Sequence, residues 1–319
     1  MSAINVALLG AGGQLGKTFL ASREKRNADT TEKVFTGALV NAVSDTPDEA
    51  RLADLRLYAF TREQLDICEQ DRLTDVLGAL DIQVIVNAAA YTQVDRAESD
   101  EYEAMRVNRE GAANVATFAA GAGCRLIHVS TDFVFAGTAG RAYKPGDATG
   151  PVNVYGATKL AGEQAVQSAC GDRALIVRTG WLYSGYASNF LTTMLRLMSE
   201  REHLGIVADQ VGTPTSTGSL VRFIDRIIAS NVESGIYHWS DAGVASWYDF
   251  AVAIQEEATG EGLLGDAIPI VPISTQEYPT PAARPDFSVL DKSTSYRDFN
   301  LTPVHWREEL RRSLRTMRN

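Results

Sequence analysis

Cysteine is scarce in this chain. Cys68, Cys124 and Cys170 stand far apart in 319 positions, with no CxxC pair and no His/Cys ligand spacing. That usage excludes a disulfide scaffold and fits a reducing compartment, where all three pack as small apolar side chains. The four histidines (His128, His203, His238 and His305) are equally scattered, so no metal site is expected from them. No apolar run reaches the roughly 18 residues that a membrane span needs, and no basic segment with a cleavable apolar stretch precedes the first strand. A cytoplasmic location is the expectation. Positive charge is also in deficit: 30 Lys and Arg face 40 Asp and Glu, for a net charge of −10. Nucleic acid and anionic membrane surfaces, which are recognised by basic patches, are therefore not expected partners. An anionic small ligand stays open, because a few arginines and helix ends in a pocket suffice.

What is present is the composition of an ordinary globular protein, 45% hydrophobic and 22% charged, long enough for one large domain and a smaller one. Short apolar runs at Ile4–Leu9, Leu55–Phe60, Val84–Val86, Leu126–Val129 and Ala174–Val177 read as strands. Helical stretches from Gln14, over Asp71–Leu80, Glu101–Ala120 and Tyr155–Ala169 lie between them. This alternation predicts an α/β fold, a Rossmann-type doubly wound parallel sheet. Runs apolar at every position suit strands covered on both faces. After about residue 180 the rhythm changes. Helices at Phe190–Ser199, Thr217–Ala229 and Ser246–Glu257 are separated by irregular segments, and half of the ten prolines fall within 268–286. The expected organisation is a NAD(P)-binding domain over 1–180, with a polar insertion at about 23–54. A smaller, discontinuous substrate lobe over 181–319 returns some segments to the first domain.

The turn after the first strand reads Gly10-Ala11-Gly12-Gly13-Gln14-Leu15-Gly16. Gly10 permits a tight turn, Gly13 lets the backbone approach a pyrophosphate, and Gly16 allows close helix–strand packing. The helix that follows presents free N–H groups to the phosphates. The second strand ends in Ala59-Phe60-Thr61-Arg62 rather than in an acidic residue. Arg62 can meet a ribose 2′-phosphate, which favours NADPH with NADH usable. Asp66 and Ile67 would flank the adenine or cap the next helix.

Tyr155-Gly156-Ala157-Thr158-Lys159 has the form YxxxK, and i,i+4 spacing stacks the phenol and ammonium on one helical face. A free tyrosine has a pKa of about 10, and a fixed positive charge nearby would lower it toward a useful range. Lys159 can also hold the nicotinamide ribose. Upstream, Ser130-Thr131-Asp132 follows the LIHV run, at the end of a parallel strand where such sheets keep their ligands. Thr131 could donate to a carbonyl oxygen that gains charge as hydride arrives.

With these motifs, the chain resembles the extended short-chain dehydrogenase/reductase family, in particular its branch that reduces dTDP-4-dehydrorhamnose. The runs that carry the resemblance include GAGGQLG at 10–16, VIVNAAAYTQVDRAE at 84–98, LIHVSTDFVFAG at 126–137, PVNVYGATKLAGE at 151–163, RTGWLY at 178–183 and DQVGTPT at 209–215. Together with NFLTTMLRL, GIYHWS, ASWYDFA and YPTPAARPDFSVLD, they cover nearly the whole chain except 23–54. The resemblance implies cofactor contacts from Gly13, Gln14, Leu15, Ala90, Tyr91, Thr92 and Val129. It implies catalysis by Thr131, Tyr155 and Lys159, and contact of Asp132 and Trp181 with a dTDP-sugar. Val94, Asn189 and Arg284 are further pocket candidates; Arg284 suits the diphosphate, or else serves as a salt-bridged structural arginine. A homodimer and Mg²⁺ at an oligomer contact are left open. The family often has tyrosine at Phe133, a departure that bears on which deoxysugar is bound. A non-catalytic nucleotide-binding subunit can share the fold, and the retained Thr131, Tyr155 and Lys159 argue against one.

Overall fold

The computed structural model describes residues 4–27, 55–232 and 234–318. Most of the expected insertion thus lies outside the described residues. Six parallel strands form the main sheet: β1 (Ile4–Leu9), β2 (Leu55–Phe60), β3 (Val84–Asn87), β4 (Arg125–Thr131), β5 (Ala174–Thr179) and, from late in the chain, β10 (Gly235–His238), in the order β10-β5-β4-β3-β1-β2. The order reverses at β1, which lies between β2 and β3. Such a switch point opens a crevice at the carboxyl ends of the strands.

Side chains alternate between two cores. Val6, Leu8, Leu57, Val86 and Val177 face helices α1 (Gln14–Asn27) and α8 (Thr217–Ala229), where Phe19, Leu220, Phe223 and Ile227 pack against them. Ala7, Leu9, Ile85, Leu126 and Ile176 face the other way, toward α2 (Gln70–Gly78), α5 (Ala112–Ala122) and α6 (Val154–Cys170). Both faces are covered, which is why the strands lack polar alternation. Arg23 on α1 and Asp225 on α8 are buried and paired, tying these two helices together.

The segment expected as one helix over 101–120 is interrupted. After the short α3 (Val94–Ala97), α4 covers Glu101–Met105, a π-helical turn covers Arg106–Gly111, and α5 follows. The physical reason lies in its neighbours. The Asn108 carbonyl approaches Gly162 on α6 so closely that a Cβ there would sit 2.1 Å from the oxygen. A wide turn turns the buried Asn108 side chain inward, a common use of such bulges.

A third core joins α7 (Phe190–Glu200), α9 (Trp247–Gly260) and α11 (Trp306–Arg318) through Leu191, Met194, Phe250, Ile254, Trp306 and Leu310. Three two-stranded pairs edge this region: β6 (Leu182–Tyr183) with β9 (Thr215–Ser216), β8 (Val211–Gly212) with β11 (Ala245–Ser246), and β7 (Leu204–Val207) with β12 (Ile270–Ile273). The proline-rich stretch is irregular: Pro272 lies within β12, and a 3₁₀ turn over Thr275–Glu277 follows. A last short helix, α10 (Ser293–Asp298), packs beside β10. No described helix is long and apolar enough to cross a membrane.

Candidate active site

The glycine turn hangs from the switch point. The N–H groups of Gly10 and Ala11 both donate to the Phe60 carbonyl, at 3.1 and 2.9 Å, and the Ala88 N–H donates to Leu9 at 3.0 Å. Gly10 has φ of +87°, and a Cβ on it would lie 2.6–2.8 Å from the Ala88–Ala89 backbone. Gly16 is needed for packing, because its Cβ would meet Ala11 and Gly10 at 2.5 Å, whereas Gly13 has room in front of it. That division matches the roles expected of each glycine.

A cleft of about 300 Å³ opens here, lined by Gly10, Gly13, Arg62, Asp66, Ile67, Ala90 and Tyr91. Glycine backbone, the start of α1 and an arginine at the rim fit a dinucleotide. Arg62 is not a free cation: its guanidinium meets Glu103 at 3.0 Å and Asp66 at 3.3 Å while remaining largely exposed. The Leu15 side chain lies in the core beneath the turn, so its backbone is the part that faces a ligand. Gln14 bridges to the other lobe, donating to the Leu182 carbonyl at 3.3 Å and accepting from Ser184 at 3.3 Å. Asp66 caps no helix; it accepts from the Cys68 N–H two residues on, at 2.9 Å, within a turn. Thr92 is exposed just beyond the cleft and Val94 opens α3, half-buried.

β4 runs through Thr131, two residues past its expected end, so Ser130 and Thr131 belong to the strand tip. Thr131 then caps a short 3₁₀ turn: its hydroxyl accepts from the Phe133 N–H at 3.2 Å and donates to Asp132 at 3.2 Å. Asn153 caps α6 by accepting from the Gly156 N–H at 2.7 Å, which puts Tyr155 in the first turn. A Cβ on Gly156 would be 2.2 Å from the Phe133 carbonyl, so this glycine lets the first turn sit against the 3₁₀ turn. The Phe133 and Tyr155 rings meet edge to face at 5.8 Å. The Tyr155 phenol lies beside the Thr131 hydroxyl, close enough to feel it.

Lys159 is buried and donates to the Val129 carbonyl at 2.8 Å. Burial lowers its pKa to about 8, opposed by the Glu163 carboxylate one turn along α6. Glu163 is itself buried against Ser130 and against Arg178 of β5, whose guanidinium reaches it at 2.7 Å. The expectation that Lys159 depresses the Tyr155 pKa is not met here. Burial dominates and pushes the phenol to about 12, with the Thr131 hydrogen bond opposing and the nearby Asp132 adding to the rise. The ammonium is turned toward Val129 instead. Asp132 is lifted to about 6 by burial, against hydrogen bonds from Ser288 and Thr131.

On the substrate side, a Cβ on Gly180 would lie 2.4–2.6 Å from the Asp132 carboxyl group, so Trp181 follows immediately beside that carboxylate. Trp181 has φ of +51°, a left-handed pose costing on the order of 1–3 kcal/mol and often found at functional sites. Next to it lies a cavity of about 830 Å³, bordered by Phe190, Gln210, Trp247, Tyr278, Thr280 and Arg284. Arg284 holds Asp95 with both terminal nitrogens, at 3.0 and 2.7 Å, so it takes the salt-bridged role while bordering the cavity. Asn189 caps α7, accepting from Thr192 and donating to the Ser184 carbonyl, and is not among the residues bordering the cavity.

Sequence reading passed over Asn108. Its side chain accepts from the Tyr91 N–H at 2.9 Å, donates to the Tyr91 carbonyl at 3.1 Å and reaches the Thr158 hydroxyl at 3.0 Å. It thus clamps the cofactor loop to the helix of Tyr155 and Lys159. Nothing in the surrounding alanine-rich helical pattern signals this. The three cysteines are free, and burial pushes the Cys68 thiol up to about 12. Among the described residues no group of three or more His, Cys, Asp or Glu is placed to hold a metal ion.

A parallel sheet with a glycine turn at its switch point, and Thr131 and Tyr155 side by side at the tip of β4, defines a Rossmann-type oxidoreductase of the short-chain dehydrogenase/reductase class. Within that class, the chain belongs to the family described as the RmlD substrate binding domain, whose model matches residues 4–319. It is 42% identical over 281 residues to a dTDP-4-dehydrorhamnose reductase of Mycolicibacterium smegmatis, covering 87% of this chain and 83% of that protein. The reductase of the same name from Escherichia coli is 37% identical, with 81% and 89% covered. Among solved structures, the Bacillus anthracis dTDP-4-dehydrorhamnose reductase in complex with NADP superposes with a TM-score of 0.83 at 33% identity, over 98% of this chain and 99% of that one.

Proposed function

We propose that this protein reduces the C4 ketone of dTDP-4-dehydro-L-rhamnose to the alcohol of dTDP-L-rhamnose, using NADPH. Residues 1–180 hold the cofactor and 181–319 mainly hold the substrate, with α8 and β10 rejoining the first part. The glycine turn and the start of α1 receive the pyrophosphate, and Arg62 at the cleft rim receives a 2′-phosphate. NADPH, when bound, supplies the hydride. Tyr155 gives its phenolic proton to the carbonyl oxygen as that oxygen gains charge. Thr131 orients the carbonyl through its hydroxyl. Lys159, with its charge, holds the ribose side of the cofactor and pins the helix of Tyr155 to β4 through the Val129 carbonyl. Asp132 and Trp181 contact the sugar, and the 830 Å³ cavity beside them has room for the nucleotide end.

The observation that carries this reading is the meeting of the Tyr155 phenol and the Thr131 hydroxyl at the tip of β4, with Lys159 bonded two residues back on the same strand. Its test is turnover: purified protein given dTDP-4-dehydro-L-rhamnose should consume NADPH. Absence of turnover with every 4-keto sugar nucleotide would defeat it.

A second reading, reduction of another dTDP-linked 4-keto deoxysugar, is favoured by Phe133, whose ring stands beside Tyr155 without a hydroxyl to offer. Rates across the 4-keto stereoisomers separate the two, and a strong preference for the rhamnose precursor eliminates this one.

A further inference from the structure

Trp247 opens α9 directly after Ser246, whose capping box with Asp249 fixes the path of the chain there. Its indole lies face to face on that of Trp181, with centroids 3.5 Å apart and planes 2° from parallel. Isolated aromatic pairs prefer offset or edge-to-face arrangements. A nearly superposed pair is therefore held by its surroundings, and both partners here are held. The Trp181 ring rests on Gly212, where a Cβ would come within 2.5–2.9 Å of it. Its carbonyl accepts from the Thr215 N–H at 3.1 Å, and its own φ of +51° leaves the backbone strained. Trp247 donates its ring N–H to Gln210 at 3.2 Å, and Gln210 donates onward to Thr275 at 3.1 Å. Phe190 closes over Trp247, its ring centroid 4.6 Å away.

The pair joins two regions. Trp181 follows Gly180, which is seated against the Asp132 carboxylate beside Thr131. Trp247 borders the cavity that also contains Thr280 and Arg284. The cofactor cleft has a different lining, from Gly10 to Val107. An indole offers a nucleotide-linked sugar an apolar surface to rest on, and the stack fixes where that surface lies.

We propose that Trp247 is a positioning residue for substrate: it holds Trp181 in its left-handed pose, and the stacked pair aligns the sugar at Thr131 and Tyr155 with the nucleotide end in the cavity. This inference rests on the reading of the site as a sugar-nucleotide reductase.

Trp247→Ala, Trp247→Phe and Gln210→Ala, each in the full chain, test it. Trp247→Ala should raise KM for the keto sugar nucleotide at least tenfold, with NADPH affinity unchanged within twofold. Trp247→Phe keeps an aromatic face and should recover KM to within threefold of wild type. Gln210→Ala removes the ring's hydrogen-bond acceptor, and with it the onward bond to Thr275, while leaving both indoles in place; it should raise KM threefold or more. Trp247→Ala with unchanged KM, or with NADPH binding weakened in parallel, overturns the inference. If the wild type turns over no keto sugar nucleotide, the functional reading fails by itself. Calorimetric binding of dTDP-glucose then decides about Trp247: weaker binding by Trp247→Ala sustains the positioning role, and equal binding overturns it.

Discussion

The Lys159 ammonium donates to the Val129 carbonyl at 2.8 Å, two residues before Thr131 on the same strand. The helix of Lys159 and Tyr155 is thereby pinned to the strand that presents Thr131. The three catalytic candidates keep their spacing because one buried hydrogen bond and one helix cap, Asn153, set it.

Replacing Tyr155 by phenylalanine removes the proton donor while leaving the ring against Phe133. General acid catalysis contributes about 10²–10⁴-fold. Turnover should fall by that order while NADPH affinity, read by fluorescence titration, stays near wild type. A Tyr155→Phe enzyme within threefold of wild-type kcat would remove Tyr155 from the mechanism.

The pH dependence follows from half-buried Tyr155 and buried Lys159. Tyr155, raised to about 12, stays protonated and ready to donate across the neutral range. Lys159, lowered to about 8, is charged below that pH and loses its charge above it. Since kcat/KM reports groups of the free enzyme, it should decline above about pH 8. The alkaline limb should move upward in Lys159→Arg, because guanidinium stays charged. A flat profile from pH 7 to 10 would contradict the assignment.

Glu163 and Arg178 form a buried pair, with side chains only 2% and 4% exposed. Breaking one partner leaves an uncompensated charge, at a cost of about 3–5 kcal/mol. Glu163→Gln should lower stability by that amount in urea titrations. The double variant Glu163→Gln/Arg178→Met should recover part of it, and equal losses in both would show that the pairing is not the cause.

Arg62→Ala should weaken NADPH binding about tenfold, equivalent to about 1.4 kcal/mol, and leave NADH binding nearly unchanged. Arg62 borders the cofactor cleft, so the comparison isolates the 2′-phosphate. Equal weakening of both cofactors would assign Arg62 to the ion pairs with Glu103 and Asp66 instead.

Gly10→Ala combines a φ of +87° with a Cβ 2.6–2.8 Å from the Ala88–Ala89 backbone. A left-handed alanine alone costs on the order of 1–3 kcal/mol, and the contact adds to it. The melting temperature should drop and NADPH affinity with it. Gly140→Ala, with open space around it, should change neither.

Local chemistry was legible in the linear chain wherever a residue type has one physical use. Gly10, Gly13 and Gly16 announce a turn, an approach and a packing contact, and the apolar strands announce a sheet buried on both faces. The spacing of Tyr155 and Lys159 follows from helical periodicity. What the chain did not disclose were contacts between distant segments. The Asn108 clamp, the pairing of Arg284 with Asp95, the burial of Leu15 and the Trp181–Trp247 stack each join residues from separate elements. Even the ionisation of Tyr155 was decided there, because packing desolvates the phenol and turns the Lys159 ammonium toward Val129. Periodicity and residue type act within a few positions of the chain, and so the sequence determined the elements and the catalytic residue types. Desolvation and close contact act through space, and so tertiary structure alone decided which of those side chains meet and which are already paired.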